Sequence, residues 1–419
     1  MNSSQWDVIV VGAGLAGLTA GATAAKGGAR TLVLEAREPG GRARATVRGE
    51  FVLNLGAHAL LRAGETHQTL RELGIPVSGS DPPLRKFRAR AGGRQHTMPT
   101  GPMSLVRTSA VSLRGKAQLG KVLSSLPRLD PAEYAARTVD DWLAALEIRP
   151  DAEAMLRAMT RLATYTDDFD ELSADAAISQ LQRSAQAGVL YVDGGWGELV
   201  DGLRRLVEVR SHAAVRSITD EGRFVRVHAD TAHWDARAVV VATGDPESTA
   251  ALLPGDLRLD ALGRPAFAAC LDVGVRHTPT PGYVLGVDEP MYGTTQAPPA
   301  AGQAPPGSAV VSAVRFGVRS PGEDRTALAE WLPVLGVERD DVVFDRFLAR
   351  MTVMSVQPAA RSTGLAGRPA TTASGLPTAF IAGDWVGPSG LLSDASAASG
   401  HQAGLAALRL VREGEPARR

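Results

Sequence analysis

Two glycine turns and one carboxylate carry the clearest chemistry in this sequence. Gly12-Ala13-Gly14-Leu15-Ala16-Gly17 has the spacing GxGxxG, and Glu35 stands 23 positions after Gly12. Each residue has a physical task in holding a dinucleotide. Gly12 makes a tight turn, Gly14 lets the backbone approach a pyrophosphate, and Gly17 lets a helix pack closely on a strand. A helix opening at Leu15 and Ala16 aims free N–H groups and the positive end of its dipole at the phosphates. Glu35 can accept hydrogen bonds from both ribose hydroxyls and repels a 2′-phosphate.

A second turn follows at once. Glu35-Ala36-Arg37 runs into Gly40-Gly41-Arg42-Ala43-Arg44. Paired glycines permit another close approach to the same pyrophosphate, and Arg42 supplies a charge-assisted phosphate contact. Arg44 reads as a solvated loop residue. Two turns on one pyrophosphate favour FAD over NAD.

The elements that must position these residues are legible nearby. Trp6–Val11 is a continuously apolar strand, Leu15–Lys26 an Ala- and Gly-rich helix, and Thr31–Leu34 a second strand, which together make a β-α-β unit. Residues 74–186 read as mostly helical, with helical spacing at 119–126 and 139–146 and a break at Asp130-Pro131. Residues 204–241 return to strands, at 214–218, 224–228 and 238–241. Residues 251–356 mix strands and helices around a Pro/Gly-rich stretch at 296–307, read as a surface loop between two strands. A last strand at 379–382 leads to a small-residue helix at 394–410.

Composition narrows the classes. The 45 basic and 45 acidic residues balance, so no global field draws nucleic acid or an anionic membrane. Cys270 is the single cysteine, which excludes an internal disulfide and a multi-cysteine metal site, and its apolar surroundings read as a buried thiol. No metal ligand set is apparent. Neither a signal-peptide pattern nor an apolar run of about 18 residues is present, so the expectation is a soluble, cytoplasmic protein.

Val8–Gly17, Glu35–Arg44 and Asn54-Leu55-Gly56-Ala57-His58-Ala59-Leu60 together resemble the flavoprotein superfamily of phytoene desaturases, protoporphyrinogen oxidase and amine oxidases. Ile381-Ala382-Gly383-Asp384-Trp385-Val386-Gly387 with Gly390-Leu391-Leu392-Ser393-Asp394-Ala395 is similar to its C-terminal flavin segment, in a form nearest the phytoene-desaturase-like branch. Gly194-Gly195-Trp196 and Val239-Val240-Val241-Ala242-Thr243-Gly244 match in order. The resemblance implies an α/β fold: a Rossmann-like FAD-binding domain (1–75, 190–250, 375–419) with an inserted mixed α+β substrate domain (76–189, 251–374). It implies that Gly56 and Ala57 lie along the isoalloxazine ring, that Val215 contacts adenine, and that Asp384 binds the ribityl or pyrophosphate region. Ala242 belongs to a further cofactor-contact segment. Gly390, Leu391 and Leu392 bring the following helix to the flavin N1/O2 edge, where a helix N-terminus stabilises the negative charge that arrives with hydride.

Absent features sharpen this picture. No second GxGxxG unit offers a separate NAD(P)H site, and no C-terminal cysteine can form a cysteinyl-flavin link, so FAD is expected to be non-covalent. Electrons then pass to oxygen, a quinone or another acceptor. No lysine follows Lys121, and Leu391 stands where the resemblance places an amine-caging tyrosine. Both departures count against a typical amine oxidase and favour an apolar cavity. His58 is the first candidate for proton removal, Trp385 for an aromatic wall, and Tyr165, with Asp167 and Asp168, for the substrate cavity. Arg62 is a candidate partner for an acidic substrate group. The basic run 84–94, with Arg107, Arg114, Lys116 and Lys121, reads as a solvated face rather than a membrane contact.

The resulting expectation is dehydrogenation of a hydrophobic small molecule, of isoprenoid or secondary-metabolite type, by hydride transfer to FAD. An amine or amino-acid oxidase and a redox-neutral isomerase or cyclase remain alternatives. A binding protein like the Rab GDP-dissociation inhibitors is disfavoured by the intact glycine motif.

Overall fold

The computed structural model describes residues 6–413. Its first sheet runs in the order Glu208–Arg210, Thr31–Leu34, Trp6–Val11, His233–Val241, Val225–Ala229, Val215–Asp220, and Ala379–Ile381 also pairs with His233–Val241. The strands at its centre are parallel. That arrangement buries both faces, which explains why Trp6–Val11 is apolar without alternation. On the edge away from Trp6–Val11, His233–Val241 is long enough to serve two partners: its first half pairs with Val225–Ala229 and its second with Ala379–Ile381.

Leu15–Lys26 packs on this sheet and is covered by the C-terminal helix Leu392–Glu413. A Cβ at Gly400 would lie 2.3 Å from the Ala16 carbonyl oxygen, so the two helix backbones touch at that point. This close approach brings the start of the C-terminal helix to the end of the sheet that carries both glycine turns.

The second sheet is ordered Val342–Met354, Ala266–Val275, Ala309–Phe316, Met291–Ala297, Tyr283–Gly286, Arg88–Ala91, Arg94–Thr97. Its pairs are antiparallel except Tyr283–Gly286 with Arg88–Ala91. Period-2 alternation divides the strand Ala266–Val275 between two cores. Ala266, Ala268 and Cys270 face the helices Leu113–Ser125, Pro150–Thr164 and Ala174–Ala187. Ala269, Leu271, Val273 and Val275 face the helix Pro321–Trp331.

Two sequence expectations need amending. The stretch 74–186, read as mostly helical, also holds a hairpin that turns at Gly92-Gly93 and joins the edge of the second sheet. Residues 296–307 do connect two strands, but the loop is anchored inward. Gln303 is buried and its amide donates to the Val192 carbonyl, while Gly194 N–H donates to the Ala301 carbonyl. No helix among the described residues is long and apolar enough to cross a membrane.

Candidate active site

A cavity of about 2190 Å³ runs from the glycine turns of the first sheet into the layer between the second sheet and its helices. A drug-sized ligand needs roughly 300–1,000 Å³, so this space admits a dinucleotide and a second molecule. Gly12, Gly14, Leu15, Ala16, Glu35, Ala36, Arg37, Gly41 and Arg42 line one end. Val215 and Ala242 flank them, and Ala57, His58, Gly383, Asp384 and Leu392 continue the wall inward.

The first turn has the shape of a phosphate cradle. Gly12 has φ +101°, and a Cβ there would lie 2.3 Å from the Ala242 carbonyl oxygen. At Gly17 a Cβ would sit 1.9 Å from the Gly12 carbonyl oxygen, so this glycine seats the helix rather than facing the cavity. Gly14 is the reverse case. It lines the cavity, yet a Cβ would meet no protein atom within 4 Å. The space beside Gly14 is therefore open to the cavity. Gly40 N–H donates to the Ala13 carbonyl at 2.7 Å, which holds the second turn against the first. Glu35 fixes both, accepting from Ala13 N–H at 2.7 Å and Arg37 N–H at 2.8 Å. A carboxylate has about four lone-pair sites, so two remain as acceptors on the cavity side.

Arg42 and Asp384 meet in this cavity. Arg42 Nη1 donates to Asp384 Oδ2 at 2.8 Å, and Nη2 lies 2.8 Å from Oδ1. Asp384 Oδ2 also accepts from Ser355 N–H at 2.9 Å. Burial disfavours the Asp384 carboxylate, but the Arg42 charge and hydrogen bond together with the hydrogen bonds from Ser355 outweigh it and hold the carboxyl below its usual range. Oδ1 has the ion pair but no aligned hydrogen bond, which leaves it an acceptor for a ligand hydroxyl. Arg42 was expected on a phosphate; its observed partner is Asp384, so it links the second turn to the C-terminal segment.

Further in, the loop of residues 55–59 is held from below. Arg346 donates to the Asn54 carbonyl and to Thr46 Oγ1, and its Nη2 lies 2.6 Å from Asp272 Oδ2. Asp272 Oδ1 accepts from Ser312 Oγ at 2.6 Å and from the buried Cys270 thiol at 3.3 Å. Gly56 bends the loop with φ +85° against Met351, and does not itself line the cavity. His58 does. Its backbone N–H donates to Gln296 Oε1 at 3.3 Å, and its ring packs edge-on to Trp196 with centroids 4.9 Å apart. His58 Nδ1 donates to the Gly56 carbonyl at 3.0 Å, a direction inferred from the acceptor-only partner. In the neutral ring this leaves Nε2 unprotonated. Burial pulls its pKa below the ordinary value, against the Gly56 and Arg42 carbonyls and Asp272, which favour the charged form.

Tyr165 lines the same region. It ends the helix Pro150–Thr164 in a left-handed conformation, and its hydroxyl donates to the Ala57 carbonyl at 3.2 Å. Burial raises its phenol well above the ordinary value, so it stays neutral and acts as a donor, not a base. Asp167 is taken by Arg161 at 2.7 Å, and Asp168 accepts from Gln357 at 3.0 Å. Arg62 lines the cavity but pairs with Asp81 at 2.8 Å.

The C-terminal helix begins at the cavity. Leu392 has φ +56°, and Leu392, Ser393 and Ser396 line the wall. Buried Arg368, its guanidinium lowered by burial to about 10, donates to the Gly390 carbonyl at 3.0 Å and braces the preceding turn.

Three further expected contacts, besides that of Gly56, are not made. Trp385 is completely buried in the core of the first sheet, beside Ile381 and Val386, and forms no aromatic wall. Leu391 is buried in the helical core, and Gly390 shapes its turn without lining the cavity. In each case the sequence neighbour, Asp384 or Leu392, takes the cavity side, and the chain direction turns the next residue away. Sequence reasoning also missed residues that do line it: Tyr191, Tyr292, Gln296, and Arg350, Met351 and Val353 on one strand. Their only signal is strand alternation, which does not say which face meets a ligand. No cluster of metal-binding side chains occurs among the described residues.

This fold and cavity define an FAD-dependent oxidoreductase. The family model for flavin containing amine oxidoreductase matches residues 15–266, and the chain belongs to that family. No curated protein matches the sequence. Among solved structures, an oxidoreductase from Methanosarcina mazei aligns at 17% identity with TM-score 0.73, covering 94% of this chain and 99% of that one. Cyclohexylamine oxidase from Brevibacterium oxydans aligns at 16% identity with TM-score 0.73, covering 97% and 99%. A protein from Pyrococcus furiosus aligns at 19% identity with TM-score 0.70, covering 98% and 99%. These similarities establish the fold.

Proposed function

We propose that the protein dehydrogenates a hydrophobic small molecule bound in the inner arm of the cavity. The observation that carries this reading is the lining of that arm: Phe87, Met98, Leu105, Leu123, Met159, Leu162 and Leu181, with Arg62 and Asp81 already paired at its edge. Each buried CH₂ contributes about 0.8 kcal/mol, so an extended hydrocarbon is held without a polar anchor. A lone ammonium there would lose hydration at a cost of several kcal/mol with no free carboxylate to offset it.

The bound flavin supplies a hydride acceptor at N5. In this reading the two glycine turns and Glu35 hold the dinucleotide, and Asp384, fixed by Arg42, receives a hydroxyl of the ribityl chain. Residues 55–59 position the substrate, and the start of the C-terminal helix stabilises negative charge at the pyrimidine edge. His58 Nε2 accepts the proton that leaves with the hydride, while Tyr165 fixes the Ala57 carbonyl. The apolar arm excludes water from the transfer.

A second reading, amine oxidation, is favoured by one observation: Tyr165, Tyr191 and Tyr292 all line the cavity and could flank a neutral amine. Product analysis separates the two. Aerobic incubation with apolar polyene precursors should yield products with an additional C=C bond. Peroxide and ammonia released from simple primary amines, with no product from the apolar series, would establish the amine reading instead.

A further inference from the structure

Residues 82–129 contain ten Arg and Lys residues and no Asp or Glu, in a chain whose charges balance overall. Three of the four lysines lie there: Lys86, Lys116 and Lys121. The fold gathers this stretch around one end of the apolar arm. Leu84, Thr100, Gly101 and Pro102 line the cavity and are themselves exposed, so the arm opens to the exterior at this end.

Large apolar side chains stand in solvent around that opening. Leu84 is 54% exposed, Met103 64%, Val106 69% and Leu113 83%; they are four of the eight exposed large apolar side chains among the described residues. Met103 and Val106 share one face of the helix Pro102–Arg107, and Leu105 lines the arm from the same helix. Lys116 Nζ donates to the Val106 carbonyl at 2.8 Å, tying that helix to the first turn of Leu113–Ser125. The cations are largely free as well. Arg90 pairs with Glu289, whereas Arg85, Lys86, Arg107, Arg114, Lys121 and Arg128 make no ion pair among the described residues.

The sequence alone reads this stretch as a solvated face. Solvation accounts for the cations and not for four large apolar groups beside the mouth of an apolar cavity. Apolar side chains reach the headgroup–acyl boundary of a bilayer while neighbouring cations meet lipid phosphates, and both kinds are present here. We propose that this face docks peripherally on an anionic lipid bilayer, with Leu84, Met103, Val106 and Leu113 at the acyl boundary and the open end of the arm facing the lipid. Its purpose, delivery of a lipophilic substrate without passage through water, rests on the hydrophobic-substrate reading above.

The test is cosedimentation of the full-length holoenzyme with vesicles of phosphatidylcholine, with and without phosphatidylglycerol, at low and high salt. Binding is expected only with phosphatidylglycerol and should weaken as salt rises. Each surface cation contributes about fivefold at low ionic strength, so R107Q/R114Q/K121Q should bind about a hundredfold more weakly. M103S/V106S/L113S should also bind less, and both variants should keep wild-type flavin content and melting temperature. Holoenzyme that stays in the supernatant with phosphatidylglycerol vesicles at low salt overturns the proposal, as does undiminished binding by both variants. An acidic protein partner would give the first of these results. Vesicle binding without flavin reduction by any dispersed apolar substrate upholds the docking and removes the substrate reading.

Discussion

Replacing Gly14 with valine should weaken FAD binding severely while leaving the apoprotein nearly intact, and Gly17→Ala should do damage of a different kind. Gly14 has φ −73° and ψ −179°, an extended conformation that valine adopts readily, and its Cβ would meet no protein atom within 4 Å. As the residue capping the helix Leu15–Lys26 it contributes no side-chain bond, so its loss costs the fold at most about 1 kcal/mol. The ligand loses far more. A valine holds the pyrophosphate away from the helix N–H groups, and two charge-assisted hydrogen bonds at about 1.5–3 kcal/mol each give about 3–6 kcal/mol. That corresponds to roughly 10²–10⁴-fold in Kd. At Gly17 a Cβ would lie 1.9 Å from the Gly12 carbonyl oxygen, where ordinary contact begins at 3.4 Å, so the helix must retreat by 3.4 − 1.9 = 1.5 Å. Overpacking of that order costs about 1–3 kcal/mol. Thermal melts of the apoproteins and fluorescence titration with FAD read the two effects separately. Wild-type FAD affinity in Gly14→Val would refute the placement of the pyrophosphate. Equal destabilisation of the two apoproteins would refute the claim that the space at Gly14 is open to the cavity.

Other outcomes follow from the same geometry. His58→Gln should slow anaerobic flavin reduction by about 10²-fold or more, and should flatten its pH profile. In the wild type that rate should rise with pH through a value below the ordinary histidine pKa, because burial lowers it. Asp384→Asn breaks the pair with Arg42 at a cost of about 3–5 kcal/mol for a buried pair, toward the low end because the Arg42 side chain is 40% exposed. The Asp384 carboxyl lies below its unfolded value, so its stabilisation is present above about pH 4 and is lost as pH falls through the folded pKa. Melts from neutral to acid pH should show the wild type converging on the variant. Asp394 has the opposite sign: burial raises its pKa despite the bond from Thr66 N–H. Its stabilisation is therefore full at acid pH and lost as pH rises through the folded value, so Asp394→Asn should gain on the wild type toward neutral pH in the same melts.

Much of the nucleotide end is legible in the chain itself. Trp6–Val11, Leu15–Lys26 and Thr31–Leu34 have the same limits in the sequence reading and in the structure, because apolar runs, glycines and helix formers agree locally. The turn chemistry of Gly12 and Glu35 is equally local. The substrate side is different. The hairpin at 88–97 escaped notice because alternating arginines and alanines look like a solvated basic run until Tyr283–Gly286 pairs with them. The Asp272–Arg346 pair that supports residues 55–59 joins strands 74 positions apart in the chain, and Arg346 reaches Asn54 across 292. No local pattern encodes such a contact. Trp385 and Leu391 show the remaining limit: beside a motif, an apolar residue suits a ligand wall and a core equally well, and only the path of the backbone decides.

The central claim, that an apolar substrate delivers hydride to bound FAD in this cavity, is tested most directly by an anaerobic single-turnover experiment. Purified holoenzyme is mixed with dispersed polyene or polycyclic substrates and, separately, with primary amines, while the flavin absorbance band is followed. Loss of the band with an apolar compound and not with amines is the predicted result. Rapid loss with amines alone would contradict the account and make the protein an amine oxidase.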